Sequence, residues 1–268
     1  MIIDVHQHLG PCRVFNLNIE EAALLAALDR NGVDAAIVQP YPGAPDPGAV
    51  HDRIAALARE HPGRIFGIMS MSPHCDPAVY RAEARRCVED LGFVALKIHT
   101  IGHSVNPLTP DAQAVYRAAA DLGVPVMIHT GPGVPLALPA LMLPASREYP
   151  DTKFILAHSG HTIYAPEAFV VAQERANIFL DTSWSAPDDI KWFIEGIGPE
   201  RVMMGSDSLL NLAAELAKYR ALDLDDATLE QVLAGTARTV FRLPTTIGHA
   251  TAGVAAAMAA LPPENARS

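Results

Sequence analysis

Cysteine and basic residues are scarce in this chain of 268 residues, and long apolar runs are absent. The three cysteines, Cys12, Cys75 and Cys87, are odd in number and widely spaced, which argues against a disulfide framework and a cysteine-based zinc site. Lysine and arginine number 20 against 30 acidic residues, and a net charge of −10 argues against nucleic acid as a partner. No apolar run reaches the roughly 18–20 residues that cross a membrane.

The two ends of the chain set the expected domain organisation. The first apolar run begins at Met1, which leaves no room before it for a signal peptide, so we expect a cytoplasmic protein without membrane contacts. Half of the residues are hydrophobic, enough for one domain over residues 1–244. The stretch 245–268 is rich in alanine and ends in polar residues, which predicts a partly disordered tail.

Short apolar runs alternate with longer amphipathic stretches along the chain, a pattern typical of βαβ units and a parallel sheet. The spacing fits both an open sheet and a closed barrel, but chemically active residues at the ends of several runs favour a (β/α)8 TIM barrel, an α/β fold. Asp225–Phe241 predicts additional C-terminal helices after the barrel. The eight predicted strands are Ile2–Val5, Ala35–Gln39, Ile65–Met69, Phe93–Ile98, Pro125–His129, Phe154–Ala157, Ile178–Asp181 and Val202–Gly205.

Metal-binding residue types follow several of these strands. His6 and His8 are two residues apart, so a strand places both imidazoles on one face. His129 and Asp207 lie at the ends of the fifth and eighth predicted strands. Together these four residues supply three nitrogens and one oxygen, which predicts one divalent cation with a position open for an activated water. Zn²⁺ is the expected ion, although the same ligands accept Mn²⁺, Fe²⁺ or Co²⁺.

The chain resembles the amidohydrolase superfamily, and within it the branch that includes aminocarboxymuconate semialdehyde decarboxylase. The resemblance runs from Met1 to about Leu243, and Thr236 stands where that branch usually has asparagine. The matching motifs are IDVHQH at 3–8, ALKIH at 95–99, PVMIHTG at 125–131, LAHSG at 156–160, MGSDS at 204–208 and VLAGTARTVF at 232–241.

The resemblance implies roles for the residues of these motifs. It implies that His6, His8, His129 and Asp207 bind one metal ion, and that His158 is the general acid or base beside it, with Asp207 also able to accept a proton. A structural role for His158 is the alternative. In binuclear relatives a lysine at the position of Lys97 is carboxylated between two metal ions. The sequence around Lys97 fits the mononuclear branch better, in which the lysine stays cationic or touches substrate.

Further residues are candidates for contacts around the metal. Lys97 and His99 share a strand face and are expected to point into the barrel mouth. Arg13 is a candidate partner for a substrate carboxylate, or else a solvated loop residue. Trp184 is expected to wall the pocket or to pack within its loop. Asp4 is expected behind His6, where it would orient an imidazole. The remaining expectations are that His161 lines the mouth and that His51, His61, His74 and His249 lie at the surface.

Three functions fit this sequence. The first is a metal-dependent hydrolase in which activated water attacks a small amide, lactone or ester, and short loops after the second and third strands favour it. The alternative is a non-oxidative, metal-dependent decarboxylase of a small unsaturated or aromatic acid. The third is a catalytically inactive metal-binding barrel. In each enzyme case the partner is a small molecule, and the tail and the loop 131–144 are candidates for a homodimer interface.

Overall fold

The protein forms a nine-stranded sheet in the order β2-β1-β3-β4-β5-β6-β7-β8-β9. The structure, a computed structural model, describes residues 1–244, 246 and 247, so all but two positions of the predicted tail lie outside it. Each of the eight predicted runs forms a strand. The strands are β1 (Ile3–Cys12), β2 (Leu17–Ile19), β3 (Ala35–Pro40), β4 (Ile65–Ser70), β5 (Ala95–Ile98), β6 (Val126–His129), β7 (Phe154–Ala157), β8 (Ile178–Asp181) and β9 (Val202–Met203).

Eight of these strands run parallel, and the sheet closes on itself. Every pairing from β1 and β3 through β9 is parallel. The Val5 amide donates to the Met204 carbonyl over 3.1 Å, and the Asp207 amide donates to the His6 carbonyl over 2.7 Å, so β1 meets the segment that follows β9. The predicted α/β barrel is thereby confirmed, and all eight strand ends face one mouth.

The hairpin between β1 and β2 is an element that the sequence pattern did not reveal. β1 continues past its predicted end at Val5 to Cys12, and its last residues pair antiparallel with β2. β2 has only three residues and is largely exposed, so it is too short for apolar alternation to indicate a strand. His6 and His8 therefore lie within β1 and do not follow its last residue.

The connections are mostly helical, and prolines or aspartates start many of them. Asp46, Asp76 and Asp225 each accept a hydrogen bond from a backbone amide in the first turn of the following helix. The α-helices are α1 (Glu21–Arg30), α2 (Pro47–Glu60), α3 (Pro77–Arg85), α4 (Pro110–Leu122), α5 (Leu143–Glu148), α6 (Ala165–Glu174), α7 (Pro187–Ile197), α8 (Leu212–Ala221), α9 (Asp226–Glu230) and α10 (Thr236–Val240). π-Helical turns span Arg86–Asp90 and Gln231–Gly235, and 3₁₀ turns span Pro135–Ala137, Pro139–Met142, His158–Gly160 and Pro199–Arg201.

The C-terminal helices close one end of the barrel. Ala237, Val240 and Phe241 are buried in one cluster with side chains inside the barrel, among them Ile3 and Ala35 near the strand starts. The additional C-terminal helices are therefore present, and they leave the opposite end, where the strands finish, open for a site. None of the helices in the described part of the chain is both long enough and apolar enough to span a membrane.

His51 corrects one sequence-based expectation, because it is buried in α2 rather than at the surface. Its Nδ1 donates to Glu83 over 2.7 Å, and its Nε2 accepts from the Ser70 amide over 3.1 Å. Burial would raise the pKa of Glu83, but hydrogen bonds from Arg86 and His51 lower it to about 2. This network ties α2 and α3 to β4 on the outside of the barrel.

Candidate active site

His6 and His8 converge with Asp207 at the mouth of the barrel. The register of β1 against β3 shifts between Asp4 and Gln7, directly where the two histidines begin. Both imidazoles are buried, and their ring centroids are 5.3 Å apart. Oδ1 of Asp207 lies 3.2 Å from Nε2 of His6 and 3.1 Å from Nε2 of His8. Two imidazole nitrogens and one carboxylate oxygen therefore converge on one position.

Asp207 is held in place by its backbone and by an indole. Its φ of 64° is in the left-handed region, and Nε1 of Trp184 donates to its Oδ2 over 2.8 Å. Burial would raise the pKa of the Asp207 carboxyl, but its electrostatic interactions with the imidazoles of His6, His158 and His8 around it hold it well below its usual range. Asp207 is therefore ionised at neutral pH.

The hydrogen bonds of the two histidines show that this cluster fits a cation. Nδ1 of His6 donates to Oδ2 of Asp181 over 2.6 Å, and Nδ1 of His8 donates to the Pro40 carbonyl over 3.3 Å. A neutral imidazole that donates from Nδ1 has a lone pair on Nε2. Two lone pairs therefore face the ionised Asp207 oxygen, an arrangement that a divalent cation bound by His6, His8 and Asp207 would satisfy.

Asp181, which the sequence analysis did not single out, is the carboxylate that orients His6. It is fully buried at the end of β8, and it also accepts from the amide and the hydroxyl of Ser183, each over 3.0 Å. The available signal was its position, because Asp181 is the last residue of a predicted strand, as the candidate ligand His129 is. A carboxylate behind a metal-binding histidine fixes its tautomer and strengthens it as a ligand.

Asp4 does not have the predicted role of orienting an imidazole. Its carboxylate accepts from the backbone amides of His6 and Ser206, from the Ser206 hydroxyl and from the Gln7 amide group. Both oxygens of its short side chain are engaged by these neighbours, because Asp4 lies one layer below the site on β1. Burial raises its pKa to about 6 against the hydrogen bonds from Ser206 and Gln7. Asp4 therefore braces the backbone on both sides of the site.

His129 and His158 lie together across the cavity. Because the Ser183 hydroxyl donates to Asp181, its oxygen accepts from Nδ1 of His158, over 2.8 Å. Nε2 of His158 then carries the lone pair and faces Nδ1 of His129 over 3.1 Å. Burial lowers the pKa of His158 to about 3, which keeps it neutral. The ligand atoms of His6, His8 and Asp207 form a group within 4.8 Å that does not include His129, so ligation by His129 stays a prediction.

The candidate substrate contacts separate into two kinds. His99 and Trp184 line the cavity, and the ring of His99 stacks on His129 with centroids 4.2 Å apart. Lys97 lies behind the histidines instead, with Nζ 3.2 Å from Nε2 of His6, and burial lowers its pKa to about 8. Arg13 is exposed in the turn of the β1–β2 hairpin and is not among the residues that line the cavity.

The cavity above the histidines has a volume of about 460 Å³, room for a small organic molecule. Its polar base contains His8, His129, His158 and Asp207. His161 lines it, as the sequence predicted. Its walls are largely apolar or aromatic and include Phe15, Leu17, Tyr41, Ile101, Pro132 and Trp184.

Replacing Asp181 by asparagine is expected to weaken metal binding about 10- to 100-fold, the usual cost of losing a carboxylate behind a histidine ligand. The amide cannot supply the negative charge that fixes the Nδ1–H tautomer of His6. Titration of the metal-free protein with Zn²⁺ and Mn²⁺ by calorimetry tests this. Asp188→Asn, an exposed change on α7, is the control, and equal affinities for the two variants would contradict the role given to Asp181.

Several solved structures share this fold at low sequence identity. The 5-carboxyvanillate decarboxylase of Sphingomonas paucimobilis is 17% identical, with a TM-score of 0.73 over 91% of this chain and 99% of its own. The 2,6-dihydroxybenzoate decarboxylase of Rhizobium is also 17% identical, with a TM-score of 0.72 over 90% and 98%. The 5-carboxyvanillate decarboxylase of Novosphingobium aromaticivorans, solved with manganese and 4-hydroxy-3-methoxy-5-nitrobenzoic acid, is 16% identical, with a TM-score of 0.72 over 91% and 96%.

Comparison of the sequence with family profiles identifies the family of the chain. A search of curated proteins finds no match. The profile of the amidohydrolase family matches residues 3–243, nearly the whole described chain. The expected resemblance is confirmed, and so is the expectation of an enzyme. The chain belongs to the amidohydrolase family.

Proposed function

We propose that the protein is a metal-dependent, non-oxidative decarboxylase of a small aromatic or unsaturated carboxylic acid. The observation that carries this is the convergence of His6, His8 and Asp207 at the base of a cavity walled by aromatic side chains. Structurally similar proteins include decarboxylases of 5-carboxyvanillate and 2,6-dihydroxybenzoate, which supports the alternative over the hydrolase that the sequence analysis favoured.

The resident cation would be held by His6, His8 and Asp207. A divalent ion there supplies a Lewis acid that fixes the acid and stabilises negative charge on its oxygens. Zinc was the expectation from the sequence, whereas a relative contains manganese, and imidazole and carboxylate ligands accept both. We therefore propose one divalent ion per chain, whose identity elemental analysis would establish.

His158 is the residue that we assign to proton transfer. Decarboxylation breaks a carbon–carbon bond, releases CO2 and requires a proton at the carbon left behind. Nε2 of His158 carries a lone pair in the cavity, so it can take a proton from the bound acid or its hydroxyl and return it to that carbon. Ser183 and Asp181 hold the imidazole in the tautomer that this step needs.

Release of CO2 tests the function. The purified protein, loaded with Zn²⁺ or Mn²⁺, is incubated with 2,6-dihydroxybenzoate, 5-carboxyvanillate and unsaturated aliphatic acids, and CO2 is measured by mass spectrometry. We expect release from at least one acid, lost on treatment with EDTA and restored by metal. Hydrolysis of a parallel panel of lactones, esters and amides without any CO2 release would overturn the proposal in favour of a hydrolase.

A further inference from the structure

Four side chains around the cavity stand on left-handed backbone. His158, His161, Trp184 and Asp207 have φ angles between 52° and 65°, although none is glycine. Residues other than glycine are disfavoured in the left-handed region. A residue keeps this conformation where the surrounding structure enforces it, often at a functional site. His158 and Asp207 already have assigned roles. His161 and Trp184 carry the same backbone cost, and the proposed proton transfer uses neither of them.

The turn after β7 places the ring of His161 over the cavity. Its backbone amide donates to the His158 carbonyl over 2.6 Å, and the amide of Gly160 donates to the Thr130 hydroxyl over 2.9 Å. A methyl group on Gly131 would lie 2.8 Å from Cβ of His161, so the two strand ends are in close contact. The position of the ring is therefore set by packing as well as by the turn.

The rings of His161 and Trp184 pack against each other at the cavity wall. Their rings are nearly parallel, at 14°, with centroids 6.0 Å apart, and both line the cavity. Trp184 is anchored at two points, because its amide donates to Glu215 over 2.9 Å and its indole donates to Asp207 over 2.8 Å. The imidazole of His161 has no hydrogen-bond partner among the residues that the structure describes, so its polar edge is available to a ligand.

We propose that His161 and Trp184 form a platform that binds the planar ring of the substrate, which makes them specificity-determining residues for aromatic over aliphatic acids. This rests on the proposed decarboxylase function for its substrate class. Aromatic rings prefer offset stacking against such a surface. The hydrogen bond from Trp184 to Asp207 places the platform directly beside the predicted metal ligand.

Quenching of Trp184 fluorescence by 3-nitrobenzoate tests the platform without any turnover. The chain has two tryptophans, so the Trp192→Phe background leaves Trp184 as the single reporter, and Trp192 is not a cavity residue. In the metal-loaded protein we expect saturable quenching, with displacement by benzoate at lower concentration than by cyclohexanecarboxylate. His161→Gly should weaken binding about 5- to 10-fold, whereas His161→Phe, which keeps a ring, should bind within about 3-fold.

The outcomes separate the two proposals. Glycine tolerates the left-handed turn, so His161→Gly is expected to fold, and circular dichroism verifies that. Quenching that rises linearly with 3-nitrobenzoate, or equal affinities for His161→Gly and its parent, would overturn the platform even if CO2 release is found. Saturable, His161-dependent quenching would uphold the platform as a ring-binding surface even where no tested acid loses CO2.

Discussion

Replacing Asp207 by asparagine is expected to abolish metal binding and to lower turnover by more than about 100-fold. This loss exceeds the roughly 10- to 100-fold effect of changing a residue that only orients a metal ligand, because Asp207 would be a ligand itself. Asp207 supplies the only carboxylate in the group formed with His6 and His8. An amide at this position lacks the negative charge, and its Nδ2–H could donate to the Nε2 lone pairs of those histidines. The hydrogen-bonding groups of the site would then be satisfied without a metal ion.

Elemental analysis of untagged protein, before and after reconstitution, measures this directly alongside CO2 release. About one metal ion per chain is expected for the parent protein and for the control Asp188→Asn, whose side chain is exposed. Two ions per chain in the parent would move Lys97 into a binuclear site. Full metal content in Asp207→Asn would remove this residue from the ligand set.

The barrel was predictable because its strands are buried on both faces. Such strands read as continuous apolar runs, and Phe154–Ala157 and Ile178–Asp181 match their predicted bounds completely. β2 escaped because it is short and exposed, and it adds Phe15 and Leu17 of its hairpin to the cavity wall. The barrel strands can be located from their apolar runs, whereas a hairpin on the rim depends on strand pairing that no apolar pattern indicates.

The site was predictable in its residue types but not in its contacts. Strand-end spacing predicted that His6, His8 and Asp207 lie at one mouth, and the structure brings their ligand atoms close together. It could not say which buried carboxylate reaches an imidazole, because Asp4 and Asp181 both lie near the site and side-chain reach decides between them. The left-handed turn that carries His161 could not be predicted either, since a positive φ is uncommon in any residue other than glycine and no local pattern marks it here.

Replacing His158 by glutamine is expected to lower turnover about 100- to 10,000-fold while the metal content stays unchanged. Glutamine can still bond to Ser183, but its amide has no basic nitrogen to accept a proton from the substrate, so proton transfer is lost and packing is largely kept. The two readouts, CO2 release and elemental analysis, are made on the same preparation. His61→Gln, at the end of α2 and away from the cavity, is the matched control.

The combination of readouts is what assigns the role. A second group brings His158 close to His6 and Asp181, so the alternative role for His158 is that of a metal ligand. Loss of metal together with activity in His158→Gln would make it a ligand and would leave proton transfer to Asp207. Loss of activity alone fits the hydrogen bonds in the structure, because Ser183 holds Nδ1 and leaves the Nε2 lone pair beside His129 at the base of the cavity. Retained activity would assign His158 a structural role.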